Sequence, residues 1–226
     1  MNAAFIAAIG TDCGKTHVAA AILRELIAQN RPALALKPIM SGYSLSALET
    51  SDAGRLLIAM GRPVTEAAVS EICWKRFTEW SAPNVAARKL GEDLNYDEML
   101  LFVRSQLAAH SGPALIEGAG GVMSPLTDTH TNLNLISDLQ LPVVLIASNY
   151  LGAVSHTLTA LDVLERRGVD VAAIVVTQAL PNAGPAAPLI DELGRWTGRR
   201  LVEAGFSRTL EDDRRWARPL TKLLFG

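Results

Sequence analysis

Cysteine is scarce. Cys13 and Cys73 are the only two in 226 residues, and they form neither a Cys-x-x-Cys pair nor a disulfide framework. A reducing compartment, the cytoplasm, is therefore expected. Excess charge of either sign is also lacking: a net charge of −2 supplies no basic patch, and no nucleic-acid partner is expected. No apolar run approaches the ~20 residues needed to span a bilayer. The apolar N-terminus lacks a basic n-region and is interrupted by Asp12 and Lys15, so neither a signal peptide nor a membrane association is expected. Aromatic residues are only 5% of a chain that is 49% hydrophobic, which leaves the packing to Ala, Leu, Ile and Val, as in helix-covered parallel sheets. Repeats and low-complexity linkers are absent, and residues 1–226 read as one α/β domain.

What is present starts at the N-terminus. The run Phe5-Ile6-Ala7-Ala8-Ile9 reads as a short buried strand, and Gly10 breaks it. Gly14-Lys15-Thr16 follows, then helical spacing over Val18 to Ala28. Strand, glycine-bearing loop, Gly-Lys-Thr and helix is the arrangement of a phosphate-binding loop. Such a loop turns backbone N–H groups toward an anion at a helix N-terminus. Lys15 would reach the outer phosphates, and the Thr16 hydroxyl would ligate Mg²⁺. The strict pattern wants glycine where Ile9 stands; Gly10 is one place late and Ala8 one place early. The competing reading is a chance Gly-Lys-Thr at a helix start, and the flanking strand and helix argue against it.

Ala33 to Leu36 reads as a second buried strand ended by Lys37-Pro38 and followed by Ser41-Gly42. Open α/β sheets place their ligands at such strand ends, although a lone lysine there could equally be solvated. Ser51-Asp52 fits a helix cap as well as a metal ligand. Residues 63–95 read as an irregular excursion over the site, with a helix from about Asn84 to Leu90, and Tyr96 to His110 as a helix. Ala114 to Glu117 reads as a buried strand ending in a carboxylate, before Gly118-Ala119-Gly120-Gly121. Glu117 beside the phosphate loop would give Mg²⁺ an acidic partner, and the glycines let backbone approach a ligand closely; the alternative is a tight turn with a solvated Glu. Pro142 to Ala147 and Val171 to Val176 read as further strands. Ala153 to Arg167 and Leu189 to Trp196 read as helices, Pro181 to Pro188 as a loop, and the charged tail as a surface finish. The four histidines lack metal-like spacing. Cys13 most simply fills space, although a helix N-terminus beside it could lower its pKa.

Taken together, these stretches resemble the dethiobiotin synthetase family. The resemblance rests on Thr11-Asp12-Cys13-Gly14-Lys15-Thr16, Lys37-Pro38-Ile39-Met40-Ser41-Gly42, Ser51-Asp52, Glu117-Gly118-Ala119-Gly120-Gly121, Pro125-Leu126-Thr127-Asp128, and Leu151-Gly152 followed by His156. It runs from Phe5 to about Thr177 and fades in the last fifty residues. It implies a P-loop NTPase-like parallel sheet flanked by helices, and the ATP- and Mg²⁺-dependent conversion of 7,8-diaminopelargonate and CO₂ to dethiobiotin through a phosphorylated carbamate. By the same resemblance, Asp12, Cys13, Gly14, Lys15, Thr16, His17, Glu117, Gly118, Ala119, Gly120, Thr177 and Gln178 would surround the nucleotide. Thr16, Asp52 and Glu117 would surround the metal. Lys37, Lys15 and Ser41 would carry the catalysis. Thr11, Asp12, Lys37, Ser41, Leu151, Gly152 and Ser155 would meet the substrate, the last three from the partner in a homodimer. Ser155 and Thr177 stand where the family commonly has Asn, and the family's Ile-Pro-Trp-like turn gives way to Val202 to Phe206, so weak base discrimination is expected.

Two rivals share parts of this pattern. One is a related ATP-dependent amidoligase domain, whose chains usually continue into a glutaminase domain that 226 residues are expected not to accommodate. The other is a ParA/MinD-like ATPase switch, which carries a second lysine where this chain has Ala8-Ile9-Gly10.

Overall fold

The structure, a computed structural model, describes residues 2–178, 185–205 and 209–226. The first half of the loop expected between Pro181 and Pro188, residues 181–184, and the end of the Val202–Phe206 stretch lie outside the described residues; Ala187 and Pro188 already belong to a helix.

Six parallel strands form the central sheet: β1 (Ala3–Ala8), β2 (Leu34–Leu36), β5 (Ala114–Glu117), β6 (Val143–Ser148), β7 (Val171–Thr177) and β8 (Leu201–Ala204). Their order is β2-β5-β1-β6-β7-β8, and every pairing is parallel. Each residue of β1 and β6 is buried, which is why these strands read as continuous apolar runs rather than as alternation. The helices between them are α1 (Lys15–Ala28), α2 (Asp52–Ala59), α3 (Glu66–Ile72), α4 (Pro83–Lys89), α5 (Tyr96–Ala109), α6 (Asn132–Leu139), α7 (Ala153–Arg166), α8 (Ala187–Trp196) and α9 (Leu210–Phe225). A two-stranded parallel ribbon, β3 (Ile39–Met40) with β4 (Lys75–Arg76), stands beside the main sheet.

Two readings of the sequence need correction. Residues 63–95 are not irregular throughout: they carry α3, whose N-cap Thr65 accepts a hydrogen bond from Ala68 N, and they also carry β4. The helix escapes notice because it is short and only Ala68, Val69 and Ile72 are buried. The tail is likewise no surface finish. It supplies the edge strand β8 and the 16-residue helix α9, which packs along α1. Trp216, Ala217, Leu220, Thr221 and Phe225 form the buried stripe of α9, hidden in sequence among Arg214, Arg215, Arg218 and Pro219. Thr209 and Asp212 close its start as a capping box.

Candidate active site

Three loops at the carboxyl ends of β1, β2 and β5 build the site, where open parallel sheets bind ligands. The β1–α1 loop turns into α1 at Gly14, which caps the helix in the left-handed region at φ 92°. Lys15 is buried, and its Nζ donates to Gly10 O at 3.0 Å, folding the side chain back over the loop. Asp12 also has a positive φ, 56°, and stands exposed at the loop tip beside Thr11.

The centre is a cluster of one ammonium and two carboxylates. Lys37 follows β2, Asp52 opens α2 and Glu117 ends β5. Lys37 Nζ lies 2.6 Å from Glu117 Oε1, 2.8 Å from Asp52 Oδ2 and 3.1 Å from Gly118 O, so all three of its protons have an acceptor. Thr16 Oγ1 stands 2.9 Å from Asp52 Oδ1 and 2.8 Å from Glu117 Oε1 but has one proton for two acceptors. Lys37 and Glu117 are 3% and 1% exposed, so this pairing is deep in the protein. Burial alone would lower Lys37, but the charges of Asp52 and Glu117 outweigh it and hold the ammonium above its ordinary pKa. The Lys37 charge, against burial, holds the Asp52 carboxyl down to about 2. Burial lifts Glu117 above the ordinary carboxylate range, with Lys37 pulling the other way. Lys15 is lowered, first by burial and then by the charge of Lys37.

The cluster has one positive charge for two negative ones, and Glu117 Oε2 is buried without a hydrogen-bond partner. An orphaned carboxylate oxygen, a second carboxylate and a threonine hydroxyl converge there. Mg²⁺ commonly takes one or two carboxylates and completes its shell with water and phosphate, so these residues fit it.

Two cavities flank the cluster. One, of about 590 Å³, is lined by Gly14, Lys15, Thr16, His17, Glu117, Thr177 and Gln178 along with Ala204 and Gly205 of the tail. The other, of about 710 Å³, is lined by Met40, Ser41, Gly42, Tyr43, Trp80, Pro83, Ala119 and Ser124 among others. Thr11, Asp12, Lys37, Asp52, Arg55 and Gly120 line both, so the cavities are joined along that rim. Ser41 Oγ is buried and unpaired in the second cavity.

The other expected site residues are placed as follows. Ser51, not Asp52, is the N-cap of α2 and accepts from Gly54 N, which leaves the Asp52 carboxylate to Lys37 and Thr16. Thr177 lines the first cavity, but its hydroxyl donates to Cys13 O at 2.7 Å and so ties the loop to β7. His17 faces α9, with Nε2 3.1 Å from Asp213 Oδ1. Gly118 is buried, and a Cβ there would meet Asn132 Oδ1 at 2.8 Å. Cys13 is buried and its thiol is pushed up by burial, so the lowered pKa that a helix N-terminus suggested is not found. Leu151, Gly152 and Ser155 are exposed at the start of α7 and line neither cavity of this chain.

Sequence reasoning missed two residues. Asn132, fully inside, holds the β5–α6 loop through Ala119 N, Ala119 O and Gly121 O. Arg55 lines both cavities; its spacing of three from Asp52, one helical turn on, was the available signal.

A phosphate loop opening onto paired carboxylates and two lysines, at the carboxyl ends of a parallel sheet, defines a nucleotide-binding enzyme of the P-loop NTPase class. The family model described as "AAA domain" matches residues 2–205. The chain is 42% identical over 199 residues to the ATP-dependent dethiobiotin synthetase BioD of Acidiphilium cryptum (strain JF-5), covering 88% of this chain and 89% of that protein. It is 48% identical over 181 residues to the enzyme of that name from Caulobacter vibrioides (strain NA1000 / CB15N), covering 80% and 81%. To that of Phenylobacterium zucineum (strain HLK1) it is 42% identical over 226 residues, covering 99% and 95%. The chain belongs to the ATP-dependent dethiobiotin synthetase family. A plasmid partition protein of Borrelia burgdorferi B31 bound to AMPPNP superposes with a TM-score of 0.52 at 13% identity, covering 97% of this chain and 90% of that one, which shows the fold alone.

Proposed function

We propose that this chain, as one domain, closes the ureido ring of dethiobiotin in biotin biosynthesis, using 7,8-diaminopelargonate, CO₂ and ATP. The observation that carries the reading is the pair of joined cavities meeting at Lys37, Asp52 and Glu117. Two reactants must face each other across one charged centre, and this rim lets them. A nucleotide in the cavity beside Lys15 would present its γ-phosphoryl group to the rim, and the diamine would lie toward Ser41.

The chain then works by position and charge. One amine takes up CO₂ to form a carbamate. A carbamate oxygen forms a bond to the γ-phosphorus as the bond to ADP breaks. The second amine attacks the carbonyl carbon, the C–O bond breaks, and phosphate leaves. Lys15 steadies the β- and γ-oxygens, Lys37 the oxygens of the carbamate and of the transferring group. Ser41 Oγ, with no protein partner, is free to hydrogen-bond the carbamate or the reacting nitrogen. Asp12 at the exposed rim suits a substrate ammonium. Thr16, Asp52 and Glu117 would hold Mg²⁺, which supplies charge neutralisation at the phosphate oxygens when bound.

The start of α7 supports a two-fold homodimer. Its exposed N-terminus lies off this chain's cavities and suits a carboxylate, as the distant end of a neighbouring chain's substrate would provide. Two free, buried thiols suit the cytoplasm, and among the described residues no helix is long and apolar enough to cross a membrane. The test is to supply 7,8-diaminopelargonate, bicarbonate and MgATP. Dethiobiotin and ADP should form in equal amounts and require all three; ATP hydrolysis without dethiobiotin would overturn the reading in favour of an ATPase switch.

A further inference from the structure

Four positively charged or ionisable nitrogen side chains line the joined cavities: Lys15, His17, Lys37 and Arg55. Three are engaged by the protein. Lys15 donates to Gly10 O, His17 meets Asp213, and Lys37 gives all its protons to Glu117, Asp52 and Gly118 O. Arg55 is different. Its guanidinium has no hydrogen-bond or ion-pair partner among the described residues, it is exposed, and it is one of the six residues that line both cavities. It stands on α2 one turn past Asp52, and its backbone N–H donates to Ser51 O at 2.9 Å.

We propose that Arg55 is a catalytic residue, the cation that holds the phosphoryl group as it passes from nucleotide to carbamate. This rests on the reading of the two cavities given above. The γ-phosphoryl group leaves ADP in one cavity and joins the carbamate oxygen in the other, so its oxygens cross the shared rim. A guanidinium presents five donors in a planar fork that matches two phosphate oxygens at once. Because Arg55 has no internal partner to give up, it takes the anion without uncovering a buried charge. Lys37 can only share its charge with that group, because Glu117, Asp52 and Gly118 O already accept its protons. Arg55 serves the same group again when the second amine displaces phosphate, since the leaving dianion departs through the same rim. Asp12 and Asp52 share that rim and repel a free phosphate, and Arg55 is the unpaired cation there to offset them.

The test uses the full chain and the variants Arg55→Ala and Arg55→Lys, with dethiobiotin formation, nucleotide affinity and melting temperature measured side by side. In Arg55→Ala, kcat should fall about 10- to 100-fold, less than the ~10²–10³-fold for removing a donor from a water-excluded oxyanion hole, because Arg55 is exposed. Affinity for ADP should stay within about threefold and the melting temperature should not move, since the side chain is exposed and unpaired. Arg55→Lys should recover only part of the rate, and guanidinium ion added below denaturing levels should raise the rate of Arg55→Ala but not of wild type. A kcat for Arg55→Ala within about threefold of wild type overturns the assignment, as does a loss that follows nucleotide affinity or stability. A wild-type chain that makes no dethiobiotin overturns the function beneath it, a result distinct from an active wild type with an equally active variant.

Discussion

At the residue scale, Lys37 is the pivot of the site. Its ammonium sits between two carboxylates, one of them wholly buried, so it is structural as well as being the proposed clamp on the transferring group. Lys37→Ala leaves Glu117 buried without its cation, and breaking a buried pair by one partner costs about 3–5 kcal/mol. The same substitution removes a charge clamp from the transferring group, and turnover should fall by several kcal/mol of transition-state stabilisation. Denaturant unfolding and single-turnover rates, measured together, check both; a variant within about threefold of wild-type turnover contradicts the role. Thr177 makes the second case. Its hydroxyl is bound to Cys13 O, so it is not available to read a base edge, and a single hydroxyl could not span that edge in any event. Discrimination by unpaired groups is then weak. ATP, GTP, CTP and UTP should differ by less than about tenfold in kcat/KM, or roughly 1.4 kcal/mol. A preference for ATP of a hundredfold would mean that another group, with Gln178 lining the cavity, reads adenine.

At the element scale, what could be read was what is locally determined. β1, its loop and α1 were legible because a fully buried strand shows as an apolar run and because Gly14, Lys15 and Thr16 are adjacent in the chain. Lys37 and Glu117 were legible as polar residues ending buried strands, although nothing local says that they touch across 80 residues. Asn132 was not legible and Arg55 only as the residue one helical turn past Asp52, since the loop that Asn132 holds and the cavities that Arg55 lines exist only after the sheet is assembled. The tail was misread for a related reason. The stripe of α9 buries Trp216, Leu220 and Phe225 against a helix that is distant in sequence, while its exposed arginines dominate its composition. Trp216 packs beside His17, at the first turn of the phosphate-loop helix. Trp216→Ala should therefore cost about 3–5 kcal/mol, as large aromatic truncations in packed sites do. Equilibrium unfolding checks this; a loss under about 1 kcal/mol would return α9 to the status of surface decoration.

At the scale of the whole molecule, the chain presents joined cavities at the carboxyl end of its sheet and, at that same end but outside them, an exposed helix start, Leu151-Gly152. Leu151 is fully exposed, an apolar side chain that a second chain would cover. Sedimentation should give a dimer at working concentrations, and dilution to monomer should abolish activity; a fully active monomer contradicts the shared site. In the proposed reaction the phosphoryl group crosses the rim between the cavities onto an oxygen that came from CO₂. That oxygen must leave with phosphate when the ring closes, because the carbamate C–O bond is the one that breaks. The direct measurement is therefore the isotopic content of inorganic phosphate made from ¹⁸O-labelled CO₂ in ordinary water, with the reaction stopped before the label exchanges. Each phosphate formed with dethiobiotin should carry one ¹⁸O atom; dethiobiotin accompanied by unlabelled phosphate would contradict phosphoryl transfer to the carbamate.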